Sequence, residues 1–317
     1  MKVVLIGRTE ILYDAAKRLL MEGYEIPVII TAKEAPEYTR TSSDFQKLSE
    51  KIGAKFLYAP KFTNQEIEFL KEAINAVDDR DNWIGVSVNY TGVIQQKIID
   101  LFPLGILNAH GGDLPRYRGN ACQAWAILNG EERIGLCVHK MVGGELDSGD
   151  IIERDYLPID INTKITEVYA WMYERIPQMF VDAVKKLEKD PGYVLEVQSR
   201  DPEDALRCYP RMPEDGAIDW HKSNEEILRL INASNRPYAG AYCCYRGHKL
   251  IIWDAELYDD REKYLAVPGQ IAQICSDGSV VVITGRGKLR IREIEYEDHL
   301  GAPAQKIKSI RSRLVSC

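Results

Sequence analysis

Residues 107–120 read Leu-Asn-Ala-His-Gly-Gly-Asp-Leu-Pro-Arg-Tyr-Arg-Gly-Asn and continue a short apolar run. Asn108 and His110 stand two residues apart, so on a strand their side chains project from the same face. An amide at such a strand end can polarise a carbonyl group, and an imidazole beside it can move a proton. An isolated Asn-x-His pair is more often part of a capped turn, so the surrounding sequence has to decide between the two interpretations.

On the N-terminal side of this stretch, apolar runs alternate with helical patterns. This alternation predicts an α/β fold with a parallel, Rossmann-like sheet built through right-handed crossovers. Ligands of such sheets bind beyond the carboxyl ends of the strands, where residues 88–90 and 108–110 lie. Gly7 lacks the further glycines of the dinucleotide fingerprint, which argues against a Rossmann-type dehydrogenase. The predicted strands are 2–7, 26–30, 55–58, 83–88 and 105–107, and the predicted helices are 11–23 and 43–52.

On the C-terminal side, helical patterns give way to short strands. Residues 123–129 and 165–187 have helical spacing, and residues 133–141 have the pattern of a strand. A proline-containing linker at 208–216 precedes a helix at 223–233 and then short strands that predict a small antiparallel, OB-like barrel. We therefore predict a catalytic domain at 1–205 and a helix-plus-barrel domain at 206–317. The predicted barrel strands are 240–245, 249–255, 269–275, 279–283 and 288–295.

Composition narrows the class of protein. The chain has 317 residues, 45% of them hydrophobic, and a net charge of −7, which argues against a dominant nucleic-acid-binding surface. The seven cysteines show no C-x-x-C pair and no metal-type spacing, so we expect reduced thiols, no metal site and a cytoplasmic protein without a signal peptide. No apolar run approaches the length of a membrane span.

A second motif lies at 136–151, where glycines and closely spaced carboxylates include Leu-Asp-Ser-Gly-Asp at 146–150. Taken alone, Asp147 fits a turn residue that caps its own loop. Together with the Asn-x-His pair and the run Leu-Pro-Arg-Tyr-Arg-Gly at 114–119, it resembles the 10-formyltetrahydrofolate-dependent formyltransferases, and the resemblance covers nearly the whole chain. Within that family the chain is most similar to the nucleotide-sugar N-formyltransferases, which are related to methionyl-tRNA formyltransferase.

The resemblance implies a site. The family's catalytic Asn, His and Asp match Asn108, His110 and Asp147, and the formyl donor it implies is 10-formyltetrahydrofolate. The family's backbone contacts to the pterin match two segments, and Tyr90 can equally be a core aromatic residue. Many relatives have a proline and small residues after the histidine, whereas this chain has Gly-Gly-Asp at 111–113, so Asp113 is a candidate for contacting the acceptor or for capping the turn. The cofactor-binding residues implied are Val88, Asn89, Tyr90, Met141, Gly143 and Gly144.

Two acceptors are typical of such enzymes: nucleotide-linked amino sugars and methionyl initiator tRNA. Residues 33–40 carry two acids against two bases, a poor phosphate surface, and the basic residues at 306–313 have the pattern of a solvated face on a last helix. These features favour a UDP- or dTDP-linked amino-deoxy sugar, specifically a 4-amino-4,6-dideoxy sugar for surface glycans, with methionyl-tRNA formyltransferase as the alternative. We expect no membrane partner, and a homodimer stays open.

Two functions of other classes are alternatives to amino-sugar formylation. A 10-formyltetrahydrofolate hydrolase would use water as the acceptor but would usually carry an N-terminal regulatory domain. A folate-binding scaffold would have no need of the three matched residues, so their presence favours an enzyme.

Overall fold

A computed structural model describes residues 1–36, 38–76, 82–259 and 261–317. The chain forms two compact units, and it passes between them several times. The first unit contains residues 1–119, 135–156 and 170–207, and the second contains 120–134, 157–169 and 208–317. The predicted division at 205/206 assigned residues 120–134 and 157–169 to the first domain, whereas their contacts lie in the second unit.

A seven-stranded mixed sheet organises the first unit, which confirms the α/β class. Strands β1 to β5 follow one another in parallel, in the order β3-β2-β1-β4-β5, and β7 and β8 complete the sheet beside β5. The predicted parallel sheet is confirmed for β1 to β5, and β7 extends it by pairing with β5 in antiparallel register. An antiparallel partner needs no helical crossover on the sheet face. The strands of this sheet are β1 Lys2–Gly7, β2 Glu25–Thr31, β3 Lys55–Tyr58, β4 Trp83–Val88, β5 Ile106–His110, β7 Arg133–Lys140 and β8 Ile151–Pro158, and the short β6, Arg118–Gly119, lies outside it.

The helices of this part of the chain bury one apolar side each. The third, Asn64–Asn75, was not predicted, although Thr63 and Glu66 form the capping box that marks its start. Its buried residues include Ile67 and Leu70, which belong to the same apolar cluster as Val4 and Trp83 of the sheet. Among the described residues, no helix has both the length and the apolar character needed to cross a bilayer. The helices are α1 Glu10–Met21, α2 Ser42–Ile52, α3 Asn64–Asn75, α4 Gln96–Ile99, α5 Cys122–Asn129 and α6 Ile165–Lys189.

The second unit contains the predicted antiparallel sheet domain. Helix α7 starts at a capping box in which Ser223 and Glu226 bond reciprocally, as the sequence predicted. The sheet has the order β10-β11-β14-β13-β12, with β15 paired to β14. Its inner side chains and those of α7 form one core that includes Trp220, Ile231 and Ile252. The elements are α7 Asn224–Ala233, β9 Arg207–Cys208, β10 Ala241–Tyr245, β11 His248–Tyr258, β12 Ile271–Ile274, β13 Val280–Ile283, β14 Lys288–Tyr296 and β15 His299–Gly301, with 3₁₀ turns at Pro202–Asp204, Pro213–Gly216 and Pro303–Gln305.

The C-terminal residues close this sheet. Val315 pairs with Cys244 of β10, and Arg313 pairs with Gln270 just before β12. Residues 313–315 therefore lie between the two edge strands, which joins the edges into a barrel. The predicted last helix at 306–313 is wrong: this stretch has turns at 306 and 310–311, and the Ser312 carbonyl accepts from the Ile271 N–H at 3.2 Å.

One pair of cysteines departs from the expected reduced state. Cys244 and Cys317 form a disulfide, with Cα atoms 5.2 Å apart and a sequence separation of 73. The extended C-terminal residues bring the two sulfurs together, a proximity that sequence spacing cannot show. Cys243 is buried on the opposite side of β10, as expected for adjacent residues of a strand.

Candidate active site

The end of β5 carries the first two predicted site residues. Asn108 lies opposite His139 in the β5–β7 register, and His110 lies opposite Cys137. The Asn108 side-chain nitrogen Nδ2 is 3.3 Å from His139 Nε2. The antiparallel pairing of β7 therefore places a second histidine beside the predicted Asn-x-His pair.

Asp147 completes the cluster from the loop after β7. Its Oδ2 accepts a hydrogen bond from the Gly119 N–H at 3.0 Å and lies 3.5 Å from His110 Nδ1, and its Oδ1 lies 3.6 Å from His139 Nε2. The carboxylate thus bonds to a segment 28 residues away, so it does not cap its own loop. The structure brings His110 and Asp147 into direct contact and links Asn108 to them through His139.

The hydrogen bonds of His110 determine which of its nitrogens is free. His110 Nε2 lies 2.7 Å from the Tyr117 carbonyl oxygen, which can only accept, so Nε2 carries a proton. Burial lowers the pKa of His110 below its ordinary value, although Asp147 and the Tyr117 carbonyl oppose this. In the neutral ring, Nδ1 is therefore the basic atom, and it faces Asp147.

Asp147 is ionised at neutral pH. Burial acts to raise the pKa of this carboxyl group, but the neighbouring His110 and His139 and the hydrogen bond from Gly119 N–H outweigh burial and bring the pKa to about 2. Asp147 thus presents a fixed negative charge beside His110, which stabilises an imidazolium formed there.

His139 is the functional candidate that sequence reasoning missed. Its Nδ1 is 3.0 Å from the Lys140 carbonyl oxygen, to which it donates, so in the neutral ring Nε2 accepts from the Asn108 amide. This contact holds the NH₂ group of Asn108 in place and leaves its second N–H available to an incoming oxygen. The only sign of His139 in the sequence is its place near the end of the strand 133–141. That place points to the site only when β7 is known to pair with β5.

The first predicted cofactor segment lies at the carboxyl end of β4. The Val88 carbonyl accepts from the Arg8 N–H at 3.1 Å, and the Asn89 carbonyl accepts from Arg8 Nε at 2.8 Å. The Tyr90 hydroxyl donates to the Ala59 carbonyl at 2.7 Å, and its ring lies against the apolar cluster of the sheet. The Tyr90 side chain therefore packs as a partly buried aromatic residue against the core.

The second predicted segment, 141–144, follows β7 and begins beside the start of β5. Met141 packs on the same apolar cluster as Tyr90, and its N–H bonds to the Ile106 carbonyl at 2.7 Å. Gly143 donates to Gln96 Oε1 at 2.8 Å, and a Cβ added at Gly144, whose φ is +80°, would have no described atom within 4 Å. Tyr90, beyond the end of β4, and Met141, beside the start of β5, thus pack against the same apolar core cluster.

In the ranges that the structure describes, no three histidine, cysteine, aspartate or glutamate side chains group closely enough to hold a metal ion.

Comparison with known proteins gives two family matches and a shared fold. Residues 1–184 match the family described as Formyl transferase, and residues 211–309 match the one described as Formyl transferase, C-terminal domain. WlaRD, a sugar 3N-formyl transferase solved with dTDP and 5-N-formyl-THF, is 18% identical with a TM-score of 0.68, and the match covers 95% of this chain and 99% of WlaRD.

Two further solved structures have the same fold. The N-formyltransferase from Helicobacter canadensis, solved with folinic acid and dTDP-3-aminofucose, is 15% identical with a TM-score of 0.65, over 94% of this chain and 100% of the other. HypX from Aquifex aeolicus, solved with tetrahydrofolic acid, is 16% identical with a TM-score of 0.59, over 96% of this chain and 46% of HypX.

Proposed function

The chain belongs to the formyl transferase family, and we propose that it moves the formyl group of 10-formyltetrahydrofolate to the primary amine of a nucleotide-linked amino-deoxy sugar. The observation that carries this proposal is the cluster of Asn108, His110 and Asp147, which brings an amide, an imidazole and a carboxylate together at the end of β5. We propose these three residues as catalytic, and Val88, Asn89, Tyr90, Met141, Gly143 and Gly144 as the backbone contacts to the pterin.

The cluster has the groups that formyl transfer needs. 10-Formyltetrahydrofolate, when bound, supplies a formyl group attached to nitrogen. The acceptor amine has to be neutral to attack, and Asn108 donates a hydrogen bond to the formyl oxygen as negative charge develops there. An amide in this position typically contributes about 3–4 kcal/mol of transition-state stabilisation.

His110 and Asp147 account for the proton. Nδ1 of His110 takes the proton that the attacking amine loses, and Asp147 stabilises the resulting imidazolium. His110 then returns the proton to the departing nitrogen, so the ring ends the cycle neutral. No external acid or base is required.

The class of acceptor is inferred from the similar proteins and from the charge of this chain. WlaRD is described as a sugar 3N-formyl transferase, and the Helicobacter canadensis protein was solved with dTDP-3-aminofucose, which supports an acceptor of the same class. We propose a UDP- or dTDP-linked sugar, with a 4-amino-4,6-dideoxy sugar for surface glycans as the specific candidate. We also propose that the enzyme works in the cytoplasm and that residues 1–205 carry the catalysis.

The second candidate, methionyl-tRNA formyltransferase, would need a basic surface for the tRNA. The nearest such feature is the cluster of Lys306, Lys308, Arg311 and Arg313. Lys306 already pairs with Asp298 at 2.9 Å and approaches Glu297 at 3.6 Å, which offsets part of the positive charge. In the other candidate phosphate-binding region, residues 33–40, Glu37 lies outside the described residues.

An acceptor screen tests the proposal. The protein is mixed with 10-formyltetrahydrofolate and, separately, with 3-amino and 4-amino dideoxy sugars linked to dTDP or UDP, and with methionyl initiator tRNA. We expect one amino sugar to gain the mass of a formyl group while tetrahydrofolate forms in equal amount, and the N-acetylated form of that sugar to remain unchanged. Formylation of tRNA alone would establish the second candidate, and folate turnover without an acceptor would indicate a hydrolase.

A further inference from the structure

The loop after His110 is built around the bond between His110 and Tyr117. The Cβ of an alanine at position 112 would lie 2.3 Å from the Tyr117 carbonyl oxygen and 2.5 Å from His110 Nε2. Only glycine lets the chain pass this close to the hydrogen bond. Gly112, the second glycine of the Gly-Gly-Asp sequence at 111–113, is therefore required by the close approach of the chain to His110.

Asp113 is held by an arginine from β8. Its Oδ1 accepts from Arg154 Nη1 at 2.7 Å, and Arg154 Nη2 donates to the Leu114 carbonyl at 2.7 Å and to Glu196 Oε2 at 2.9 Å. The Arg154 side chain is 9% exposed, so these contacts are shielded from water. One guanidinium group thus holds both the side chain of Asp113 and the backbone of the next residue.

Strand β7 supports the loop from the other side. A Cβ at Gly135 would lie 2.6 Å from the Cα of Asp113, so the loop rests directly on the backbone of this strand. Cys137, two residues further along β7, donates from its Sγ to the Gly112 carbonyl at 3.5 Å. The loop is therefore fixed between β7 and Arg154.

Such fixing is needed because Tyr117 has an unfavourable backbone conformation. Its φ is +54°, in the left-handed region, which costs a non-glycine residue roughly 1–2 kcal/mol. A loop free to relax would leave this conformation and rotate the Tyr117 carbonyl away from His110. Contacts elsewhere in the loop have to hold it.

We propose that Asp113 and Arg154 are positioning residues, which hold the loop at 111–117 so that the Tyr117 carbonyl fixes the Nε2–H form of His110 and leaves Nδ1 facing Asp147. This rests on the proposed function in one respect, that His110 moves the proton. It also assigns Asp113 to Arg154 instead of to the acceptor amine.

The variant Asp113→Asn tests the proposal against Asp155→Asn as a matched control. Asp155 is the neighbour of Arg154 on β8, so its side chain points to the opposite face, where it forms an ion pair with Arg175. Both variants lose one carboxylate charge from an arginine pair in the same unit. The readouts are kcat and KM for both substrates, and the ¹⁵N–¹H correlation spectrum of the histidine rings in the free protein.

We expect Asp113→Asn to give His110 a mixture of both ring tautomers and to lower kcat by about tenfold or more, with the acceptor KM unchanged. Asp155→Asn should leave the spectrum and kcat as in the parent protein. The five histidines are separated by comparison with the spectrum of His110→Gln. If Asp113→Asn does not fold, the double variant Asp113→Asn with Arg154→Gln replaces it, because it leaves no unpaired charge between these two positions.

An unchanged His110 spectrum together with a kcat equal to that of Asp155→Asn would overturn the proposal. A raised acceptor KM with intact kcat would also overturn it, by placing Asp113 against the acceptor. Because the spectrum is recorded without substrates, it tests the positioning role even if the acceptor class is wrong. A shifted tautomer in a protein that formylates no amino sugar would contradict only the proposed function.

Discussion

At the scale of single residues, His110 is set between two hydrogen-bond acceptors, and this determines how it titrates. The Tyr117 carbonyl holds one nitrogen protonated, and burial disfavours a proton on the other. The free base is the active form at the start of the cycle. A base with a lowered pKa stays unprotonated into mildly acidic solution.

We therefore predict that the acid limb of the kcat–pH profile lies below 6.5, the ordinary pKa of histidine. In Asp147→Asn this limb should move to still lower pH, because the carboxylate acts to raise the His110 pKa and its loss removes that effect. Steady-state kinetics across pH at saturating substrates check this. An acid limb above 6.5 in the parent protein, or a limb moved upward in Asp147→Asn, would show that another group controls the profile.

The same depression affects stability, with a definite sign. The unfolded chain binds a proton at His110 more readily than the folded chain, so the free energy of unfolding rises with pH up to the ordinary pKa of 6.5 and falls as the solution becomes more acidic. This contribution is fully present above 6.5 and is lost below it.

Sequence could supply part of this site. The period of two along a strand predicts that Asn108 and His110 share a face, and the two residues lie together at the end of β5. It could not supply His139, or the bond from Gly119 to Asp147, because both depend on which strand lies beside β5 and on a contact across 28 residues.

At the scale of elements, the barrel of the second unit depends on its last residues. The Leu314 N–H bonds to the Gly269 carbonyl at 2.8 Å, and Leu314 is completely buried. The backbone passes so close to Gly269 that an added Cβ would lie 2.0 Å from the Leu314 carbonyl oxygen. A side chain added at Gly269 therefore pushes directly against the C-terminal residues.

We predict that Gly269→Ala destabilises the protein more than Gly247→Ala. The two glycines have φ values of +84° and +82°, so both variants incur the same backbone cost, but nothing lies within 4 Å of a Cβ at 247. The difference isolates the contact with the C-terminal residues and should amount to about 1–3 kcal/mol in urea unfolding. Equal losses in the two variants would mean that these residues are not held against Gly269.

Sequence predicted most of the elements but not how they pair. Alternating apolar residues marked the barrel strands, and the Ser223–Glu226 capping box marked the start of α7. The pairing that closes the barrel joins residues far apart in sequence, such as Gln270 with Arg313, and no local pattern carries that information. For the same reason the basic residues at 306–313 suggested a helix that the structure does not contain.

At the scale of the whole molecule, every residue proposed for the chemistry lies in the first unit. Asn108, His110, His139 and Asp147 all fall within it, together with Asp113 and Arg154. The second unit takes up residues 120–134 and 157–169 from the middle of the sequence, so the two units are interleaved along the chain. That residues 1–205 carry the catalysis by themselves stays a prediction.

The central claim is that the cluster around His110 carries the formyl transfer while the backbone of the neighbouring segments holds the folate. The most direct test measures folate affinity and the single-turnover rate of formyl transfer on the same preparations of the parent protein and of Asp147→Asn, with the acceptor that the screen identifies. We predict an unchanged folate affinity and a transfer rate lower by about two to three orders of magnitude, the scale for loss of one transition-state contact. A collapse of folate binding with normal transfer at saturating folate would contradict the account, because Asp147 would then bind the donor without taking part in the reaction.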